Sequence, residues 1–140
     1  MFTAQDFLYD LLSAVRLTKY ILQTASDEAS AYAMRSSLLS QLQEFDMIET
    51  EILAIAGRRG WDFPELEPSG KYACRFRLTH RVRRTDSDLS ERIILQLTKD
   101  MIYILKLLHQ INAPDTSIQY STQKYLDRNA ISIRQLQAFL

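Results

Sequence analysis

Asp46 and Glu49 stand three residues apart in a stretch whose apolar residues recur every three or four positions, QLQEFDMIETEIL. That spacing puts both carboxylates on one side of a helix, an all-oxygen donor pair of the kind hard cations take. Asp100 and Asp127, each in a different helical stretch, could complete an all-carboxylate metal site. The competing reading is a solvated helix face, because Gln43 and Thr50 flank the pair; it is the reading preferred here, with no metal and no cofactor expected. Cys74 and His80 are the other candidates for chemistry. A Cys–His nucleophile needs its two side chains within hydrogen-bond reach, and in the alternating stretch that carries them six residues span about 20 Å. They are expected as a buried thiol and a tucked imidazole. One cysteine also excludes an intramolecular disulfide and a multi-cysteine zinc site. With no catalytic motif in the chain, the expectation is a protein that is not an enzyme.

Charge is uneven. Residues 1–70 hold 11 acids and 5 bases, residues 71–84 hold 6 bases and no acid, and residues 85–140 hold 6 of each. Lys71, Arg75, Arg77, Arg81, Arg83 and Arg84 alternate with Tyr72, Phe76 and other apolar residues, as on many nucleic-acid surfaces. They are the partner-binding candidates, for an acidic partner or a nucleic acid. Neutralisation of the acidic first half within the same small domain is the preferred account, which weighs against nucleic acid.

Four helical stretches must position these groups. The first, about 3–24, opens with Thr3 as N-cap and Asp6 three residues later, an approximate capping box. Its apolar stripe is Phe7, Leu8, Leu11, Leu12, Val15 and Leu22, with the small Ala14 and Thr18. The second, about 27–59, is read as starting at Ser26 or Asp27, whose side chains can accept first-turn amides. Its stripe is Met34, Leu38, Leu42, Phe45, Ile48, Ile52 and Ile55, and Gly60 can take the left-handed conformation that closes a helix. Arg58-Arg59-Gly60-Trp61 reads as that closure, with the Trp tucked under the bundle end, in preference to a recognition corner. A crossover, 61–86, follows: Pro64, Pro68 and Gly70 bar a regular helix, then 71–83 alternates with period two, as an extended strap would. The third helix, about 88–111, starts near Asp88 with Glu91 at the capping-box position and carries a heptad seam of Ile94, Leu97, Met101, Ile104, Leu108 and Ile111. Asn112-Ala113-Pro114 stops it. The fourth, about 115–139, carries Ile118, Thr122, Tyr125, Leu126, Ile133, Leu136 and Leu140, interrupted by Asn129 and Ser132.

Short link, long link, short link is the pattern of a ferritin-like four-helix bundle, two antiparallel hairpins joined by one long crossover. The expected fold class is therefore all-α, one domain over 1–140. No apolar run approaches 18 residues, so no transmembrane helix is expected. The first ten residues, MFTAQDFLYD, lack the basic start of a signal peptide; a cytoplasmic or spore-associated location is expected.

The stretch from Tyr9 to Phe63 resembles the spore coat protein F family of endospore-forming bacteria. The matching features are Asp10-Leu11-Leu12, Tyr20, Arg35 with its following apolar pair, the stripe of the second helix, and Arg59-Gly60-Trp61 closing the hairpin. The resemblance implies a ferritin-like helical domain, a link to sporulation, and partners that are copies of itself or other coat-type proteins. It also places an acidic residue near Val15 and a His near Asp46, and both are replaced here. No Glu-x-x-His, the ligand pair of ferritin-like metal proteins, occurs in the chain. The expectation is thus a non-catalytic structural or interaction protein whose ferritin-like metal site is lost. The rivals are a metal-binding ferritin-like oxidoreductase with carboxylate-only ligands, and a small binding module using the basic 71–84 strap.

Overall fold

The computed structural model describes residues 1–64, 85–111 and 114–140, and among them the only regular elements are four helices. They are α1 (Ala4–Glu28), α2 (Tyr32–Arg58), α3 (Asp86–Leu108) and α4 (Thr116–Gln137). The described residues form an all-α bundle. The alternating strap, with Cys74, His80 and all six basic partner candidates, lies outside the described residues, as do Asn112 and Ala113.

Local chemistry sets most ends. Thr3 accepts the Asp6 amide at 3.1 Å while Asp6 accepts the Thr3 amide at 3.0 Å, so the expected capping box is formed. Asp115 caps α4 by accepting from the Ile118 amide. At the end of α2, Gly60 has φ +70°, Trp61 N donates to Ala56 O at 2.9 Å and Gly60 N to Gly57 O at 3.2 Å. That bond pair is a Schellman closure, and Trp61 packs partly buried against the core. The third helix begins two residues before the expected start: Thr85 is its cap, accepting from the Asp88 amide.

One end differs from expectation. Ser26 and Asp27 do not start α2; they lie in the last turn of α1, which runs on to Glu28. Ser26 is buried and its hydroxyl donates to Gln23 O at 2.7 Å, within its own helix. The chain turns at Ala29, Ser30 and Ala31 instead. There the Ser30 and Ala31 amides donate to Asp86 Oδ1 and Oδ2 at 2.8 and 2.9 Å. A carboxylate from the first turn of α3 therefore does the work expected of a local cap.

Each helix has two principal neighbours: α1 packs on α2 and α3, and α4 packs on α2 and α3. Paired residue numbers rise on one helix as they fall on the other for α1 with α2 (Arg16–Glu49, Lys19–Asp46) and for α2 with α4 (Glu51–Lys124, Arg59–Asp115). They rise together between the starts of α2 and α3, where Ser30 meets Asp86 and Met34 meets Ser90. The core is the expected stripe of α1 and of α2, with Leu42 only half-buried, joined by Leu89, Ile93, Leu97, Ile104 and Leu107 of α3. The heptad seam of α3 is shifted: Ile94, Met101, Leu108 and Ile111 flank the core half-buried, while Ile93 and Leu107 lie inside. A helix that packs on two neighbours buries a stripe wider than a coiled-coil seam. On α4, Asn129 and Ser132 do not interrupt the stripe. Both are fully buried, and Leu140 is the exposed residue.

Candidate functional site

The two carboxylates of the second helix sit at the α1–α2 seam, and two cations from α1 meet them. Arg16 Nε donates to Glu49 Oε2 at 2.7 Å, Lys19 Nζ donates to Glu49 Oε1 at 3.0 Å, and Lys19 also pairs with Asp46. Arg16 and Lys19 stand one turn apart on α1, as Asp46 and Glu49 do on α2, so opposed helices bring the four charges into one patch. Burial pushes the Glu49 carboxyl up, but the hydrogen bonds and charges of Arg16 and Lys19 outweigh it and hold the group below its ordinary range. Lys19 loses to burial and gains more from Asp46 and Glu49, so its ammonium is held above the ordinary value. The Glu49 side chain is 19% exposed and that of Asp46 54%, so the patch grades from seam to solvent.

The other two candidate ligands lie elsewhere. Asp100 is half-buried on α3 and accepts from Gln96 Nε2 at 2.9 Å. It is near enough to Tyr125 to act on its hydroxyl. Asp127 is exposed on α4, accepts from Gln123 Nε2, and lines the groove between α2 and α4 with Glu44 and Glu51. Among the described residues no three His, Cys, Asp or Glu side chains converge on one point. The set Asp46, Glu49, Asp100 and Asp127 is therefore not one site. Sequence reasoning did not pick out Arg16 and Lys19. Their signal was available, two bases at i and i+3 opposite two acids at i and i+3, but using it requires the register of the hairpin.

A di-metal centre, which the ferritin-like resemblance brings to mind, does not fit these residues. Val15 is fully buried among apolar side chains. Asp46 and Glu49 already carry an ammonium and a guanidinium, whose positive charge stands where a metal cation would have to enter.

The bundle interior holds a second polar group. Thr18, Gln41, Thr122, Tyr125, Asn129 and Ser132 are all buried. Thr18 and Thr122 hydroxyls donate to their own helices at Ala14 O and Ile118 O. Tyr125 Oη lies close to Asn129 and Thr18, yet neither meets hydrogen-bond geometry with it. Tyr125 Oη and both amide atoms of Asn129 are therefore buried polar atoms left without a hydrogen bond among the described residues. Burial first, and then the Asp100 charge, push the Tyr125 hydroxyl well above the ordinary phenol range. It is a neutral donor at any physiological pH.

At the bundle end, Arg59 pairs with Asp115 and lies 5.1 Å over the Trp61 ring. The Arg59 hydrogen bond is the main cause that holds the Asp115 carboxyl low. This corner closes α2 onto α4, as the packing account of Arg-Arg-Gly-Trp requires.

No protein-family model, no curated protein and no solved structure matches this chain. Among the described residues no helix is long and apolar enough to cross a membrane.

Proposed function

We propose that this chain is a non-catalytic structural or interaction protein, of the kind the spore coat F resemblance implies, acting through copies of itself or other coat-type proteins. Its scaffold is a ferritin-like bundle of two antiparallel helical hairpins. The chain leaves α2 at Arg58 and enters α3 beside Ser30 and Ala31, near the start of α2. The link between them must therefore retrace about 40 Å, the length of a helix of this size, which supports one long crossover. The observation that carries the functional reading is the capture of Asp46 and Glu49 by Arg16 and Lys19: the carboxylates best spaced for a cation are committed to structure. Exposed Tyr32, Tyr103 and Tyr120 supply the amphipathic contact area that protein interfaces favour.

The test has two parts. Untagged protein is incubated with ferrous iron, desalted, and its metal content read by mass spectrometry. The expected result is far below about one metal per chain, whereas about two per chain, the stoichiometry of a ferritin-like di-metal centre, overturns the reading. In that event Asp46, Glu49, Asp100 and Asp127 are the first residues to replace. In a spore-forming host the protein is expected to change in abundance or location between growth and sporulation; no change counts against the coat assignment.

A further inference from the structure

Glu44, Met47 and Glu51 of α2 lie beside Lys124, Arg128 and Ile131 of α4, lining an open groove of about 250 Å³. We propose that a second copy of this chain docks on this α2–α4 face, in a two-fold dimer whose axis runs parallel to the helices. The proposal rests on the reading of the chain as a self-associating protein and names the surface that does it.

Three features select this face and this partner. Met47 is 61% exposed and Ile131 38%, so an apolar centre lies open between charges. The charges are sorted by helix: both acids of α2, Glu44 and Glu51, stand level with bases of α4. Lys124 Nζ donates to Glu51 Oε1 at 2.7 Å, and Glu44 is the acid whose charge acts on Arg128. The one acid on the α4 side, Asp127, is engaged by Gln123 of its own helix. A two-fold axis parallel to the helices lays α2 of one copy along α4 of the other at the same height. Glu51 then meets the partner's Lys124, and Glu44 meets the partner's Arg128. An axis across the helices would oppose Glu44 to the partner's Glu51, like against like, which complementary interfaces avoid. The charges thus pick one orientation of a self-complementary contact.

The area also suits a second copy. Helix α4 has 22 residues; at about 1.5 Å each beside a neighbour roughly 9 Å away, the two-helix face covers on the order of 650 Å² per copy. A standard-size interface buries about 600–1,000 Å² per partner, so this face falls at the lower end of that range and below an obligate homodimer, as suits a reversible self-association.

Sedimentation equilibrium of the full chain tests this. Two variants are made: Glu44→Lys/Glu51→Lys, which turns both rows basic, and Lys124→Glu/Arg128→Glu, which turns both acidic. The exposed single change Met47→Glu serves as a third, and circular dichroism checks that each keeps its helices. Each variant is expected to weaken self-association at least about tenfold, and an equimolar mixture of the two charge variants is expected to associate again. A wild-type chain that stays monomeric up to about 1 mM, beyond the weakest useful affinities, overturns this proposal and the self-association reading together. A wild type that associates no better than all three variants overturns the face alone. Charge variants that stay monomeric when mixed overturn the pairing of acid row with base row.

Discussion

Asp86 is the single side chain that most clearly joins distant parts of the sequence. Its two oxygens take the amides of Ser30 and Ala31, neither of which has a residue of its own neighbourhood to serve it. Hydrogen bonds to a charged group contribute more than neutral ones, though solvent weakens exposed ones. Asp86→Ala is expected to destabilise the fold by about 1–2 kcal/mol, read as a lower urea midpoint with an unchanged slope. A wild-type midpoint in the variant would mean that water replaces the carboxylate at no cost. Tyr125 presents the opposite case. Its ring makes an edge contact with Phe45, centroids 6.4 Å apart, but its buried hydroxyl lacks a well-aligned partner among the described residues. An unsatisfied buried hydroxyl costs roughly 1–3 kcal/mol, and removing it spares that penalty. Tyr125→Phe is therefore expected to leave the urea midpoint unchanged or raise it. A loss above about 1 kcal/mol would show that the hydroxyl is bonded in solution, an ordered internal water being the simplest partner.

At the scale of the element, what was legible depended on how far away the deciding partner lies. Thr3 with Asp6, Asp115 with Ile118, Gly60 with Gly57, and Trp61 with Ala56 all act within five residues. Those ends could be read from local sequence. The α1–α2 junction could not, because Ser26 and Asp27 have good cap chemistry that loses to a carboxylate 55 residues beyond the Ala31 amide it serves. The same distance effect hid the role of Arg16 and Lys19, and made Asn129 and Ser132 look like gaps in an apolar stripe. Moving Asp27 and Glu28 from a helix start to a helix end reverses their electrostatics. They lie in the last turn of α1, which carries no base, while α2, α3 and α4 each have one there. Carboxylates at the negative end of a helix dipole are destabilising. Burial, and then the neighbouring Asp27, push the Glu28 carboxyl above its ordinary value, consistent with that placement. Asp27 is exposed, so Asp27→Lys is expected to raise thermal stability, by about 0.3–1 kcal/mol at low salt and less at high salt. If Asp27 instead capped α2, the same change would lower it, so the sign of the shift decides between the two junctions.

For the whole molecule, five carboxylates of the described residues fall into two sets that act oppositely on stability as pH falls. Asp6, Glu49 and Asp115 are held below their ordinary values: Asp6 first by the Thr3 amide, Asp115 first by Arg59, and Glu49 because Arg16 and Lys19 overcome its burial. Each contributes stability that is present above its unfolded pKa of about 4 and is lost as pH drops through the lower folded value. Asp10 and Glu28 are raised, chiefly by burial and then by Asp6 and Asp27 respectively. The folded state binds their protons more tightly, so each weakens the fold above its folded pKa and is relieved as pH falls toward about 4. The expected profile by urea denaturation is a plateau near neutrality, a slight rise as acidification reaches the raised Asp10 and Glu28 carboxyls, then a decline below about pH 4. Glu49 is the depressed carboxylate that two cations hold at a helix seam, so Glu49→Gln is expected to flatten the acid decline. Its cost at pH 7 should be about 1 kcal/mol or less, because the pair is partly screened by solvent. That cost should shrink as pH falls through the lowered folded value, where the wild-type carboxylate itself becomes neutral. A Glu49→Gln penalty that does not shrink as the pH is lowered from 7 through the acid decline would mean that Glu49 works by packing and neutral hydrogen bonds. The charge patch of Arg16, Lys19, Asp46 and Glu49 would then contribute nothing electrostatic to holding α1 on α2.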